Sequence, residues 1–163
     1  MFREMRRKGQ QLSEEAAYDI LRSGSHGVLA LSGDEGWPYA VPLSYALDGS
    51  SVYFHCAREG HKIDAVRKDG RGCLCVVARD DVLPEEFTTR YVSAVAFGEI
   101  EELRDEEEKL SALRLLCAKY CPDAGQGAVE AEIERDWPGV SILKMRILHL
   151  TAKAERKTAR QMK

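Results

Sequence analysis

The stretch VYFHCAREGHKIDAVRKDG, residues 52–70, joins the pattern of a strand directly to the pattern of a helix. In its first part apolar residues alternate with others, which is the period of a half-buried strand. The part that follows Gly60 predicts a helix, with His61 and Lys62 in its first turn. A cation there is unfavourable by about 0.3–1 kcal/mol because of the helix macrodipole. We therefore expect a compensating negative group near this junction.

The residues before this stretch predict one helix and then a meander of short antiparallel strands. The helix spans residues 12–24, with Ser13 as its N-cap and Gly24 as its end. Turn-forming residues separate the strand patterns that follow, which predicts tight hairpins. The three predicted strands are SHGVLALSG (25–33), PYAVPLSYALDG (38–49) and SVYFHCA (51–57).

The second of these strands contains a proline, which limits how it can pair. Tyr39, Val41 and Leu43 point to one side, and the residues between them point to the other. Pro42 has no N–H to donate to a neighbouring strand, so this strand is predicted to lie at a sheet edge. Its free backbone groups would then be available to a flat, polar ligand.

The second half of the chain predicts two strands, two helices and a last strand. Together with the meander this makes an α+β fold that is mainly β, with six antiparallel strands in a small barrel and helices against it. We expect one domain over residues 1–150 and a frayed basic tail over 151–163. The predicted elements are strands CLCVVARDD (73–81) and RYVSAVAFGEIEEL (90–103), helices RDEEEKLSALRLLCAKYCP (104–122) and AVEAEIERDW (128–137), and strand VSILKMRILHL (140–150).

Composition excludes several classes of function. A net charge of -3 gives no overall attraction to nucleic acid or to an anionic membrane. No stretch approaches the roughly 18 apolar residues of a membrane span, and no apolar segment follows the basic start of the chain. The 5 cysteines lack the spacing of a disulfide scaffold or a zinc ribbon. These features predict a cytoplasmic protein with reduced thiols, no metal, and no nucleic-acid or membrane partner.

The residues alone leave two interpretations of the junction open. Lys62 and His61 could add charge-assisted hydrogen bonds to a phosphate held by the free N–H groups of the helix start. Alternatively, Lys62 is a solvated surface lysine. In the same way, His55 either lines a ligand face or is a half-exposed sheet histidine, and the second is the more common case.

Three segments resemble the flavin-binding split-barrel family related to pyridoxamine phosphate oxidase, most closely its nitroimidazole-resistance (Nim-type) branch. The resemblance covers roughly residues 1–150. It implies a six-stranded antiparallel split β-barrel with flanking helices, which forms a homodimer and holds one FMN in each of two interface clefts. The segments that carry it are MFREMRRK (1–8), GWPYAVPLSYALDGSSVYFHCAREGHKIDAVRK (36–68) and FTTRYVSAVAFGEIEEL (87–103).

The resemblance also implies roles for particular residues. Lys62 would pair with the FMN phosphate, His61 would lie beside it and act as the catalytic residue facing the substrate pocket, and His55 would line the same cleft. The edge strand would offer its backbone to the isoalloxazine ring through Val41, Pro42, Leu43 and Ser44. The partner subunit would contribute Arg90, Tyr91 and Ser93.

The implied activity is that of an FMN-dependent oxidoreductase, in which the flavin transfers hydride and the protein positions it. The substrate would be a small nitroheteroaromatic or related molecule, with NAD(P)H as the electron donor. The alternative is a non-enzymatic FMN- or haem-binding protein for storage, sensing or protection. Oxidation of pyridoxamine phosphate is not expected, because the chain ends in LKMRILHLTAKAERK and lacks the arginine-rich strand of the true oxidases.

Overall fold

A single antiparallel sheet forms most of the computed structural model, which describes residues 2–162. Within these residues the sheet has seven strands in the order β2-β1-β5-β6-β7-β4-β3. The strands are β1 Gly27–Ser32, β2 Pro38–Leu43, β3 Ala46–Asp48, β4 Ser51–Ala57, β5 Arg71–Leu83, β6 Thr88–Glu102 and β7 Val140–Ala154. The α-helices are α1 Glu14–Ser23, α2 His61–Lys68, α3 Glu106–Tyr120, α4 Gln126–Asp136 and α5 Arg156–Gln161.

The sheet must curl into a barrel, because its two edge strands are joined by only two residues. β2 and β3 lie at opposite ends of the strand order, yet only Ser44 and Tyr45 connect them. The three Cα steps from Leu43 to Ala46 span at most about 11 Å. The edges therefore come together at this link, and the α+β split-barrel fold predicted from the sequence is confirmed.

The number of strands differs from the six that were predicted. The second predicted strand is divided into β2 and β3 at Ser44–Tyr45. The division has a physical cause, since the backbone N–H of Tyr45 donates to the Tyr120 hydroxyl (2.8 Å) and not to a neighbouring strand. The backbone ladder is interrupted at that point.

β3 is short, and this leaves an opening in the barrel wall. It pairs only with residues 51–53 of β4, so residues 54–57 of β4 have a strand neighbour on one side only, β7. β2 likewise pairs only with β1. We call the opening between β2 and residues 54–57 the split.

The interior of the barrel is apolar and is closed by two helices. Inward-facing strand residues such as Leu29, Phe54 and Leu74 are fully buried. α1 and α2 each add apolar side chains to this cluster, among them Leu21 and Ile63. The predicted start of α1 is confirmed, because the Ser13 hydroxyl accepts the N–H of Ala16 (3.2 Å), and the predicted alternation of β2 is also observed.

The outer surface of the sheet has two unlike halves. Over β3, β4 and β7, helices α3 and α4 cover a second apolar cluster that includes Tyr53, Leu116 and Ile142; this is the covered half. Over β1, β5 and β6, apolar side chains share one outward face by their register. We call this the bare face: Val28, Cys73, Cys75, Val77, Val95 and Phe97.

The basic end of the chain is ordered as far as residue 162, which corrects the prediction of a frayed tail over residues 151–163 for all but Lys163, which lies outside the described residues. β7 continues to Ala154, beyond the predicted boundary at residue 150, and α5 follows it. The Glu155 carboxylate accepts the N–H groups of Lys157 and Thr158, and Ala159 is fully buried. Among the helices of residues 2–162, none combines the length and the apolar character needed to cross a membrane.

Candidate functional site

The β2 side of the split presents free backbone. Because β2 pairs only with β1, alternate residues direct N–H and C=O groups away from the sheet. The side chains of Val41 and Leu43 are half-buried toward the barrel, whereas Pro42 and Ser44 are exposed. The edge position predicted for Pro42 is confirmed by the strand order.

The opposite side of the split leads into the start of α2. Gly60 is the N-cap and has φ 117°, a conformation that side chains rarely adopt. A glycine N-cap offers no side-chain acceptor, and the first intrahelical bond runs from the N–H of Asp64 to the Gly60 carbonyl (3.1 Å). The helix therefore begins with N–H donors that no capping side chain satisfies, in a position suited to an anion.

His61 connects the two sides. Its ring stacks on the Tyr39 ring of β2, with 4.0 Å between centroids, and its Nε2 lies 3.6 Å from the Asp34 carboxylate in the β1–β2 turn. The structure thus brings His61 to the β2 edge. Neither Tyr39 nor Asp34 was predicted as a site residue, and no local pattern in the sequence indicates their contact with His61.

Lys62 is the second residue of α2, and its side chain lies near the end of β4. Burial raises the pKa of the Cys56 thiol, the positive charge of Lys62 acts against that rise, and Glu102 adds to it. These effects indicate that the ammonium group lies close to the last residues of β4. Within residues 2–162, no carboxylate lies within ion-pair distance of Lys62, in contrast to Arg67 one turn later, which contacts Glu102 at 2.8 Å.

His55 is exposed on the outer side of β4. It shares that side with Tyr53 and Ala57, as predicted, while Phe54 and Cys56 point into the barrel. α3 covers Tyr53 but leaves His55 open to solvent beside the split. Its role in binding stays a prediction.

The three residues predicted to act from the partner subunit lie on β6, which β1 and β5 separate from β2. Ser93 pairs with Val77 of β5 and with Lys153 of β7, and with neither side of the split. Arg90 pairs with Glu86 (3.3 Å), and Tyr91 carries the Lys153 ammonium 5.4 Å above its ring. One copy of the chain does not bring Arg90, Tyr91 and Ser93 to His61 and Lys62.

A large surface cavity has none of the predicted site residues in its lining. It measures about 720 Å³ and is bordered by the C-terminal half of α2 and the last residues of β6. At its edge the Glu102 carboxylate accepts hydrogen bonds from Ser141 (2.7 Å) and Arg67 (2.8 Å). Burial acts to raise the pKa of Glu102, but these two hydrogen bonds outweigh burial and lower it. The Glu102 carboxylate is therefore satisfied within the protein, and we favour the split as the candidate site.

Comparison with known proteins identifies relatives of this fold. A family model described as pyridoxamine 5'-phosphate oxidase matches residues 13–154. No curated protein gives a significant match. Solved structures do match, and the three described below each share less than a quarter of the compared residues with this chain.

Three of these structures are informative. A candidate 5-nitroimidazole antibiotic resistance protein from Bacteroides thetaiotaomicron is 22% identical, with a TM-score of 0.73 over 87% of this chain and 84% of that one. An FAD-binding protein from Mesorhizobium loti is 23% identical, with a TM-score of 0.66 over 90% and 97%. An FAD- and haem-binding protein from Mycobacterium smegmatis is 22% identical, with a TM-score of 0.71 over 91% and 74%.

Proposed function

Because the chain belongs to the pyridoxamine 5'-phosphate oxidase family, we propose that it is a flavin-dependent oxidoreductase that binds FMN in the split. The observation that carries the proposal is the stacking of His61 on Tyr39, which joins the uncapped start of α2 to the free edge of β2. An anion site and a row of free backbone groups thus lie side by side. FMN offers a phosphate for the first and a flat polar ring for the second.

The start of α2 fits the phosphate. The N–H groups of His61 and Lys62 belong to the first turn, and the N-cap supplies no side chain that would compete for them. The Lys62 ammonium adds a positive charge that no carboxylate within residues 2–162 neutralises with an ion pair. Hydrogen bonds to a charged group are each worth about 1.5–3 kcal/mol. This arrangement also offsets the unfavourable position of a lysine at a helix start.

The β2 edge fits the ring system. The backbone N–H and C=O groups of residues 41–44 can orient the isoalloxazine, while the side chains of Val41 and Leu43 fill the barrel beneath. When bound, the flavin supplies hydride transfer to a small nitroheteroaromatic or related substrate, with NAD(P)H as donor. His61, stacked on Tyr39 and 3.6 Å from the Asp34 carboxylate, is held at the mouth of the split, where it could contact a substrate.

The bare face supports a homodimer. Val77 is 56% exposed and Val28 is 40% exposed, in one continuous apolar patch without a covering helix. A second copy packed there would remove these side chains from water. It would also allow Arg90, Tyr91 and Ser93 to act on the partner's flavin, which they do not approach within their own chain.

A second candidate function is non-enzymatic binding of flavin or haem for storage, sensing or protection. His55 favours it, since an exposed imidazole beside the split could ligate a haem iron. One relative in fold is described as binding both FAD and haem. The two candidates predict different behaviour when a reductant is added.

The first experiment records the visible spectrum of the purified protein with FMN, with FAD and with haem, and then adds NADH or NADPH without oxygen. Bleaching of bound flavin at a catalytic rate, restored by a nitroheteroaromatic compound, would support the oxidoreductase. Tight flavin without bleaching, or a haem spectrum, would support the second candidate. Absence of any binding would contradict both.

The phosphate contact has its own test. We expect Lys62→Ala to weaken FMN by about 10- to 150-fold, the equivalent of about 1.5–3 kcal/mol. Lys68→Ala is the matched control, because Lys68 is an exposed lysine in the last turn of the same helix. Fluorescence titration with FMN would measure both. Equal affinities of the two variants would remove Lys62 from the phosphate site.

A further inference from the structure

A lysine and a tyrosine at the end of α3 hold the link between the two sheet edges. Lys119 Nζ donates to the carbonyls of Gly24 (2.6 Å) and Tyr45 (2.9 Å). The Tyr120 hydroxyl accepts the backbone N–H of Tyr45 (2.8 Å). The same hydroxyl lies 2.6 Å from the Ser25 carbonyl and 2.8 Å from that of Tyr45, and its single proton can serve one of them at a time.

The side chain of Tyr45 is fixed as well. It is fully buried, its hydroxyl donates to the Leu21 carbonyl (2.6 Å), and Lys119 Nζ lies 4.0 Å above its ring. Burial raises the pKa of this hydroxyl, so it keeps its proton and remains a donor. Every polar group of Tyr45 therefore has a partner, and both backbone partners belong to the last turn of α3.

The Lys119 amine is an unfavourable group to remove from water. It is partly removed from water between two aromatic rings and two carbonyls, and burial lowers its pKa. No carboxylate of the described residues forms an ion pair with it. Burying an amine costs free energy unless hydrogen bonds compensate for the lost water, and here two backbone carbonyls do so. The amine does something that an apolar side chain could not: it fixes the direction of the Tyr45 carbonyl.

That carbonyl lies one residue after the backbone that we assign to the flavin ring. Ser44 and Tyr45 are the whole connection between β2 and β3, so the direction of Tyr45 sets where Ser44 and Leu43 leave the sheet. We propose that Lys119 is a positioning residue for the flavin site, which acts by holding this link and does not touch the flavin. The inference rests on the proposed function.

The chain offers a matched control for this role. Lys109 is on the same helix, is 8% exposed, donates to a backbone carbonyl (Val140, 3.3 Å) and lies 4.5 Å above an aromatic ring, that of Trp137. It makes the same kinds of contact as Lys119, but to the other end of the covered half. Loss of Lys109 should disturb packing without moving the β2 edge.

The test compares wild type, Lys119→Met and Lys109→Met by thermal unfolding, FMN titration and the visible spectrum of the bound flavin. We expect Lys119→Met alone to raise the FMN dissociation constant at least fivefold and to shift the flavin absorption bands. Amide hydrogen exchange without flavin should be faster at Tyr45 in this variant only. Because Lys119→Met could unfold the chain, Tyr120→Phe is a second variant, which removes only the hydroxyl that accepts from Tyr45 and should change the same readouts in the same direction.

The outcomes separate the two proposals. Wild type that binds no FMN would overturn the proposed function, and the positioning role with it. Wild type that binds FMN, with both Lys119→Met and Tyr120→Phe unchanged in affinity and spectrum, would overturn the positioning role alone. Equal acceleration of amide exchange at Tyr45 in Lys109→Met and Lys119→Met would also overturn it, since it would reveal general destabilisation.

Discussion

The covered half and the bare face belong to one sheet, yet the chain treats them differently. On the covered half, Tyr53 and Ile142 face outward from the barrel and are buried because α3 and α4 lie over them. On the bare face, Val28 and Val77 also point outward, and no helix within residues 2–162 covers them. Both surfaces are apolar, so the apolar alternation of the strands does not by itself reveal what covers a sheet. The proposed homodimer would cover the bare face with a second copy of the chain.

The largest expected effect is on the covered half. Leu116 lies on the buried face of α3 and is 5% exposed, and Leu116→Ala should lower the free energy of unfolding by about 2–5 kcal/mol because it leaves a cavity. Val82→Ala is the control, at a site that is 68% exposed, where about 0.5 kcal/mol or less is expected. Urea denaturation of both variants measures the difference. Similar losses would mean that α3 does not seal this half.

The bare face should respond in assembly and not in folding. Val77→Asp places a charge on the proposed interface and should weaken self-association tenfold or more, about 1.4 kcal/mol, since like charges would be buried across it. Ala131→Asp adds the same charge to an exposed position of α4 and should leave association unchanged. Sedimentation velocity distinguishes the two. A wild-type protein that stays monomeric at every concentration would contradict the proposed interface, because the bare face would then not bind a second copy of the chain.

The smallest effect is expected at Glu102, where the bare face and the covered half meet. Glu102 ends β6 and accepts hydrogen bonds from Arg67 and Ser141, and its pKa is lowered. A carboxylate with a lowered pKa stabilises the fold above the ordinary glutamate pKa of about 4.3, and that stability is lost as the pH falls through the lower folded value. Glu102→Gln should therefore lose less stability than wild type between about pH 6 and about pH 3.5. Parallel losses in urea midpoints would contradict this.

Local sequence patterns were sufficient to predict the elements that depend on interactions between neighbouring residues. The cap at Ser13, the buried stripe of α1 and the alternation of β2 could all be predicted from neighbouring residues. The break at Tyr45 could not, because Lys119 and Tyr120 cause it from more than 70 residues away. The basic composition of the last residues likewise concealed Ala159, whose burial keeps α5 in place.

The candidate site could likewise be predicted only in part. The resemblance of the family motifs indicated His61, Lys62 and the β2 edge, and the structure brings these elements together. The resemblance did not indicate that Tyr39 and Asp34 hold His61, since that contact depends on how the hairpin of β1 and β2 lies against α2. Neither source joins Arg90, Tyr91 and Ser93 to the site, and their action from a second subunit stays a prediction.

The position of β7 has a consequence for how the protein is made. β7 lies between β6 and β4, so residues 54–57, which β3 does not reach, find a strand partner only in residues 140–143. At synthesis rates of about 5–20 residues per second, the edge of β4 waits about 5 to 20 seconds on the ribosome for that partner. Open strand edges recruit other chains. The newly made chain therefore needs protection, by early packing of the meander or by a chaperone, until β7 inserts and closes the sheet.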